Sequence, residues 1–410
     1  MTRVLCLTSW YPPHHFGGYE LSCHDVMTRL ADRGHHVEVL TSDHRHPGVP
    51  DPAELGVGAV HRRLQLYFRA GQLWSPSPLE RLRVERHNQR ALREALDSCR
   101  PDVVAVWHVG AMSLGLLTTL VRSDIPLVHA VSDDWPAYAR QLDPWTRACA
   151  RLPRFARAIE IVTGVPATLP DLDRSSMFCF ISEVTRDRSR RSPWSFPRST
   201  IVHSGIDGRL FAPASAGAGR DAPEPGGAVR LLYVGRIDER KGIRTILRAL
   251  ALLPGASLLV DGRSDPSDLA ALDRWTAEVG VADRVTVQTS DRRDLAGVYR
   301  SADVCVFASE WAEPFGLVPL EAMACGVPVV ATGVGGSGEF LVDGENTVLF
   351  EAGDPASLAA SVRRLVDDPD LRRHVIDHGL VCAERFDVDH LTDRFEHWYA
   401  RAAEDVPADS

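Results

Sequence analysis

Hydrophobic positions along this chain fall in short buried-type runs separated by longer amphipathic stretches, which is a strand–helix alternation. Val4–Thr8 is the first apolar run, and Pro12–Tyr19 reads as a loop ending in Gly17-Gly18. Glu20–Arg33 carries Leu21, Val26 and Leu30 at helical spacing and is stopped by Gly34. His36–Thr41, Asp102–Trp107 and Pro126–Val131 read as further strands, with an apolar helix running from Gly110 to Val121. The same rhythm restarts later. Strands are predicted at Val229–Val234, Ala256–Val260, Val285–Gln288 and Val304–Phe307, with helices at Gly242–Leu253 and Asp268–Val279. Strands alternating with helices predict parallel sheets covered on both faces.

Between the two series lies Ala212–Gly227, rich in Pro, Gly and Ala and without periodicity, which reads as a linker or exposed loop. A chain of 410 residues is also too long for one ordinary core. The expected fold class is therefore α/β, with two doubly wound domains at 1–212 and 228–387. Leu391–Ala403 is predicted to be helical, with Phe395, Trp398 and Tyr399 on one side, and the closing segment 388–410 is assigned to the first domain.

Composition narrows the function classes. The balance of 44% hydrophobic and 25% charged residues is that of a soluble globular protein. A net charge of -9 gives no sign of a nucleic-acid partner. No apolar run reaches the roughly 18 residues of a membrane span. Met1–Thr8 reads as a first strand rather than a signal peptide. Eight scattered cysteines without a C-x-x-C pair fit reduced, buried thiols and a cytoplasmic protein. His14-His15, His35-His36 and His44-Arg45-His46 lack the spacing of a metal site, so none is expected. Lys241 is the only lysine, which makes its position worth explaining.

The strongest candidate chemistry is Glu313-Pro-Phe-Gly-Leu-Val-Pro-Leu-Glu321. It follows the apolar run Ala302–Ser309. Pro314 suits a first helical turn, which would put both glutamates near one helix face. Gly316 would let the backbone come close to a ligand, and helix-start N–H groups bind phosphate oxygens. Gly235-Arg236-Ile-Asp-Glu-Arg-Lys241-Gly242 likewise follows a strand and brings two cations.

Together, Gly17-Gly18, Gly235-Arg236 with Lys241-Gly242, Glu313-x7-Glu321 and the block Glu321–Val330 resemble the retaining GT-B glycosyltransferases of family 4. The similarity runs from Arg3 to Tyr399 and is strongest from Leu231 to Phe350. The resemblance implies two Rossmann-like domains facing across a cleft. The C-terminal one would hold a nucleotide sugar, UDP- or GDP-linked, and the N-terminal one a small-molecule, lipid or glycan acceptor. No metal or other cofactor is implied. Arg236 and Lys241 would stabilise the departing diphosphate, and Glu313 would hold the transferred sugar. Glu321 would bind the ribose, while the N–H groups of Phe315, Gly316 and Leu317 meet the phosphates. Gly17 and Gly18 would approach the donor, and Gly262 and Thr289 would lie near the base. The acceptor pocket would come from the loops at about 45–69 and 137–173.

One position departs from the family pattern. Many relatives carry His-Asp after the strand that ends at Val131, whereas this chain has Ser132-Asp133. Serine carries no imidazolium charge. His108, Ser132 and Asp133 are the candidates on the acceptor or sugar side, and His129 is expected to be a core histidine because strand alternation turns it away. Basic clusters at Arg62, Arg63 and Arg69, and at Arg186–Arg198 around Trp194, leave peripheral membrane contact as a reading that is not favoured. Two further functions remain open at this point: a nucleotide-sugar 2-epimerase, and a non-catalytic nucleotide-sugar-binding subunit.

Overall fold

The computed structural model describes residues 1–69, 72–149, 153–214 and 228–404. The chain forms two compact units: Met1–His203 together with Val388–Ser410, and Ser204–Asp387. Of the expected linker, residues 215–227 lie outside the described residues.

The N-terminal unit is built on a seven-stranded sheet. Its strands are β1 (Arg3–Leu7), β2 (His36–Ser42), β3 (Ala59–Leu64), β4 (Val103–Val106), β5 (Leu127–Val131), β6 (Ser176–Phe180) and β7 (Ser199–Ile201). Their order is β3-β2-β1-β4-β5-β6-β7, all parallel. β1 is central, with Leu5 opposite Glu38 on one side and Val104 on the other. Its Val-Leu-Cys-Leu run is buried on both faces, which is why it reads as a continuous apolar stretch rather than an alternating one.

Helix α1 (Gly18–Asp32) follows β1, and its Glu20 carboxylate accepts the Gly17 N–H at 2.9 Å. Helix α2 (Pro78–Cys99) starts at Ser77, whose N–H is accepted by Glu80 at 2.9 Å, with Pro78 in the first turn.

The C-terminal unit carries a six-stranded parallel sheet. The strands are β8 (Arg230–Val234), β9 (Ser257–Asp261), β10 (Val285–Gln288), β11 (Val304–Phe307), β12 (Val329–Ala331) and β13 (Val348–Leu349), in the order β10-β9-β8-β11-β12-β13. Helix α3 (Ile243–Ala251) follows β8 and helix α4 (Leu317–Ala324) follows β11. The core joins Leu231, Tyr233 and Val306 of the sheet to Ile243, Ile246 and Leu250 of α3.

After this unit the chain re-enters the first one as helix α5 (Val388–Glu404). α5 buries Leu391, Phe395 and Tyr399. The Phe395 ring lies 4.9 Å from that of Trp107, and Trp107 Nε1 donates to Tyr399 Oη at 3.3 Å. Arg29 of α1 pairs with Asp389 at 2.6 Å.

Seven cysteines are buried and free, while the side chain of Cys149 lies outside the described residues. Among the described residues no helix is long and apolar enough to cross a membrane.

Candidate active site

In each sheet the strand order reverses once: between β1 and β4 in the first, and between β8 and β11 in the second. At such a reversal the connections leave in opposite directions and open a crevice beyond the carboxyl ends of the strands, where ligands of doubly wound folds bind. In the C-terminal unit the two segments flanking that point are Gly235–Gly242, after β8, and Ala308–Gly316, after β11. These are the two motifs picked out in the sequence.

Backbone contacts knit the two segments together. The Glu310 N–H donates to Arg240 O at 2.8 Å. A Cβ on Gly242, which has φ +74°, would stand 1.9 Å from Ala308 O, so only glycine allows that approach. Lys241 Nζ lies 3.1 Å from Glu313 Oε1, and Ser309 Oγ donates to the same oxygen at 3.1 Å. Lys241 is 25% exposed and the Glu313 carboxylate 11%, so a half-buried ion pair opens toward solvent at the strand ends. Arg236 is exposed, with its guanidinium in no ion pair among the described residues. Arg240 pairs with Asp238 at 2.7 Å and lies over the Trp311 ring.

The structure corrects the expected path from Glu313 to Glu321. α4 begins at Leu317, not at Pro314, and Gly316 precedes it with φ +94°. Glu313 is extended and bridges to Gly335, with Gly336 N donating to Glu313 O at 2.8 Å. The two acids therefore do not share a helix face; one lies on the loop and the other in the helix. Glu321 is half-buried and accepts the Tyr299 hydroxyl at 2.6 Å. Phe315 is buried against Phe340 and Phe386, so its side chain serves the core. Leu317 is half-buried as the first residue of α4.

At the ends of β9 and β10, Gly262 packs directly on Gly235, and a Cβ there would lie 2.1 Å from Gly235 O. Thr289 Oγ1 donates to Gly262 O at 3.0 Å. Buried Asp261 braces the turn by accepting from Gln288 at 2.7 Å and Ser290 at 2.6 Å.

In the N-terminal unit, Gly17 is extended at φ -167° and Gly18 opens α1. His108 Nδ1 lies 3.9 Å from Glu20 Oε1, and the His108 ring stacks on Trp10 at 5.0 Å. Burial raises the proton affinity of Glu20, opposed by the charge of His108. Ser132 and Asp133 follow β5 as half-buried residues, and Asp133 accepts the Tyr138 hydroxyl. His129 is fully buried against Phe178, and burial lowers its pKa to about 3. His14, on the loop after β1, is held by Asp51 of the loop after β2 at 3.2 Å.

Several members of the basic clusters are neutralised locally. Arg62 pairs with Asp51, Arg63 with Glu94, Arg186 with Glu183 and Arg188 with Asp134, while Trp194 is buried. The local sequence did not point to Glu20, Ser309 or Tyr299. Glu20 had one usable signal, an acid three residues after a glycine at a helix start.

Residues 16–209 match the family described as Glycosyltransferase Family 4, and residues 220–380 the family described as Glycosyl transferases group 1. The chain belongs to glycosyltransferase family 4. It has the GT-B fold and is a glycosyltransferase. A glycogen synthase of Mycobacterium tuberculosis is 28% identical over 397 residues, covering 90% of this chain and 86% of that protein. A sucrose-phosphate synthase from Thermosynechococcus elongatus superposes with a TM-score of 0.73 at 23% identity, covering 98% of this chain and 99% of the other. Alr3699/HepE of Anabaena, solved in complex with UDP and glucose, superposes with a TM-score of 0.71 at 18% identity, covering 98% and 100% of the two chains. The two family matches meet between residues 209 and 220, close to where the compact units divide at His203–Ser204.

Proposed function

We propose that this family 4 glycosyltransferase moves a sugar from a UDP- or GDP-sugar to an acceptor hydroxyl with retention at C1. The Lys241–Glu313 pair, 3.1 Å apart where the C-terminal sheet reverses, is the observation that carries the reading. In the absence of ligand the only lysine is neutralised by an acid. A bound diphosphate would take over the ammonium and leave the carboxylate to the hydroxyls of the transferred sugar.

As the bond from C1 to the phosphate oxygen breaks, its electron pair leaves with the nucleoside diphosphate. Lys241 and the exposed Arg236 stabilise that charge. The acceptor oxygen bonds to C1 on the same face, and its proton passes to the departing phosphate oxygen. No strong base is required, which accommodates Ser132 where relatives often carry histidine. Glu321, held by the Tyr299 hydroxyl, would bind the ribose hydroxyls. Gly262 and Thr289 border the base, and the start of α4 with Gly316 borders the phosphates. The N-terminal unit supplies the acceptor site. Two cations can replace a metal in neutralising the diphosphate, so the reaction is expected to proceed in chelator.

A thermal-shift screen with UDP-, GDP- and ADP-sugars identifies the donor, because stabilisation follows RT ln(1 + [L]/Kd). With that donor, Lys241→Ala and Glu313→Ala should each slow turnover by roughly 100-fold or more, the scale of losing one transition-state electrostatic partner. Full donor hydrolysis and transfer by both variants would sink the scheme.

A further inference from the structure

The reversal of the N-terminal sheet between β1 and β4 is furnished differently from that of its C-terminal counterpart. The residues that follow the strands there are aromatic. Trp10, after β1, stacks on His108, after β4, and packs edge-on against Phe16 at 5.1 Å and Phe68 at 5.4 Å. Next to this cluster lies a cavity of about 330 Å³, walled by Trp10, Tyr67, Phe68, Met112, Trp135 and Tyr138 among others. At about 30 Å³ of liquid volume per water molecule, it has room for roughly ten non-hydrogen atoms.

The polar groups of this cavity are few. Among the described residues no arginine or lysine lines it. Asp143 is taken up by the protein, accepting from Leu114 N at 3.0 Å and Trp145 N at 2.9 Å as well as from the Thr146 hydroxyl. The Tyr138 hydroxyl is given to Asp133. Three nitrogens remain. The indole N–H groups of Trp10 and Trp135 are buried without a hydrogen-bond partner, in residues 8% and 1% exposed, and so is His108 Nδ1.

Such walls treat ligand classes unequally. A glycan would turn its hydroxyls toward carbon and leave them unpaired, which disfavours its burial there. A sugar phosphate would find no arginine or lysine among the described lining residues, only the His108 imidazole with the Asp143 carboxyl on the same wall. A planar aromatic molecule would instead stack on the indole and phenyl rings, and an oxygen on it could accept an indole N–H.

We infer that the acceptor of this enzyme is a small, carbon-rich aromatic alcohol or phenol, seated in the cavity between Trp10 and Trp135, and not a glycan or sugar phosphate. The inference names the acceptor class within the glycosyltransferase reading and rests on it for the transfer step alone.

2-Naphthol is a suitable probe, with maltose and glucose 1-phosphate as the polar alternatives. Calorimetry on the full chain should show 2-naphthol binding once per chain. Ala139→Phe, which fills the cavity from its wall, should weaken that binding about tenfold or more, the scale of overpacking a formed site. UDP-sugar or GDP-sugar binding by the same variant reports that it is folded. Chromatography should then show a naphthyl glycoside formed from the donor. Naphthol binding unchanged in Ala139→Phe would overturn the inference. So would saturable transfer to maltose or glucose 1-phosphate with none to naphthol, and that result would leave the glycosyltransferase reading standing. Naphthol binding that is lost in Ala139→Phe, in a protein that binds no nucleotide sugar, would support the cavity and overturn the donor site instead.

Discussion

Glu85 should make the stability of the N-terminal unit fall as pH rises through neutrality. Its carboxyl is completely buried on α2, with the Tyr67 hydroxyl donating to Oε1 at 2.6 Å. Burial, and then the neighbouring Asp143, push its pKa from 4.5 up to about 8. The folded chain therefore keeps a proton that the unfolded chain has lost throughout this window. Each tenfold difference in proton affinity is worth about 1.4 kcal/mol, so the whole window carries roughly 5 kcal/mol. The sign follows from the raised folded value: the contribution is complete below pH 4.5 and is lost as pH rises through about 8. Between about pH 6.5 and 8 the loss should be about 2 kcal/mol. Of the nine tryptophans only Trp275 and Trp311 lie outside the N-terminal unit, so tryptophan fluorescence during urea unfolding follows the right part of the molecule. Glu85→Gln keeps the shape and the bond from Tyr67 but cannot ionise. Its unfolding free energy should be nearly flat over that pH range. A variant with the wild-type slope would refute the argument, because the carboxyl would then be ionised in the folded protein.

Two further outcomes follow from buried geometry. His129, with its pKa held near 3, is neutral when folded and protonates on unfolding below its ordinary 6.5. Stability should be lost as pH falls from 6.5 toward 3, by about 2 kcal/mol over the first one and a half pH units, and His129→Phe should remove most of that acid sensitivity in urea titrations. Gly262→Ala would drive a methyl to 2.1 Å from Gly235 O, so the strand-end loops must separate. It should destabilise by about 1–3 kcal/mol and raise the donor KM, with kcat affected less; an unchanged KM would remove Gly262 from the donor site.

The sequence was most legible where burial is complete. Val304–Phe307 was placed at its observed ends because an interior parallel strand reads as an unbroken apolar run, and the exposed edge strand Val285–Gln288 was placed equally well by its alternating valines. The edge strand Ala59–Leu64 was missed, since its consecutive His61, Arg62 and Arg63 break the apolar run and read as a basic cluster. Arg62 and Lys241 drew attention as charges, and the structure separates them by their partners: Arg62 is buried against Asp51, while Lys241 opens onto a loop. Pro314 misled because its preference for a first helical turn is local, whereas the bridge from Glu313 to Gly335 comes from the loop after β12, further along the chain. Tyr299 on Glu321 and Ser309 on Glu313 were out of reach for the same reason, as neither hydroxyl stands out in its own segment.

The return of the chain as α5 has a consequence for how the molecule can be made. The C-terminal unit is a continuous stretch, Ser204–Asp387, set within the other in sequence, so everything it needs leaves the ribosome in one piece. The N-terminal unit must wait. Until Val388–Glu404 has been synthesised, Trp107 lacks the cover of Phe395 and Arg29 lacks its pairing with Asp389, although the seven strands of the sheet were finished some two hundred residues earlier. The domain begun first is thus the one completed last, and a nascent chain halted before α5 would carry a finished C-terminal unit and an N-terminal unit with an open seam.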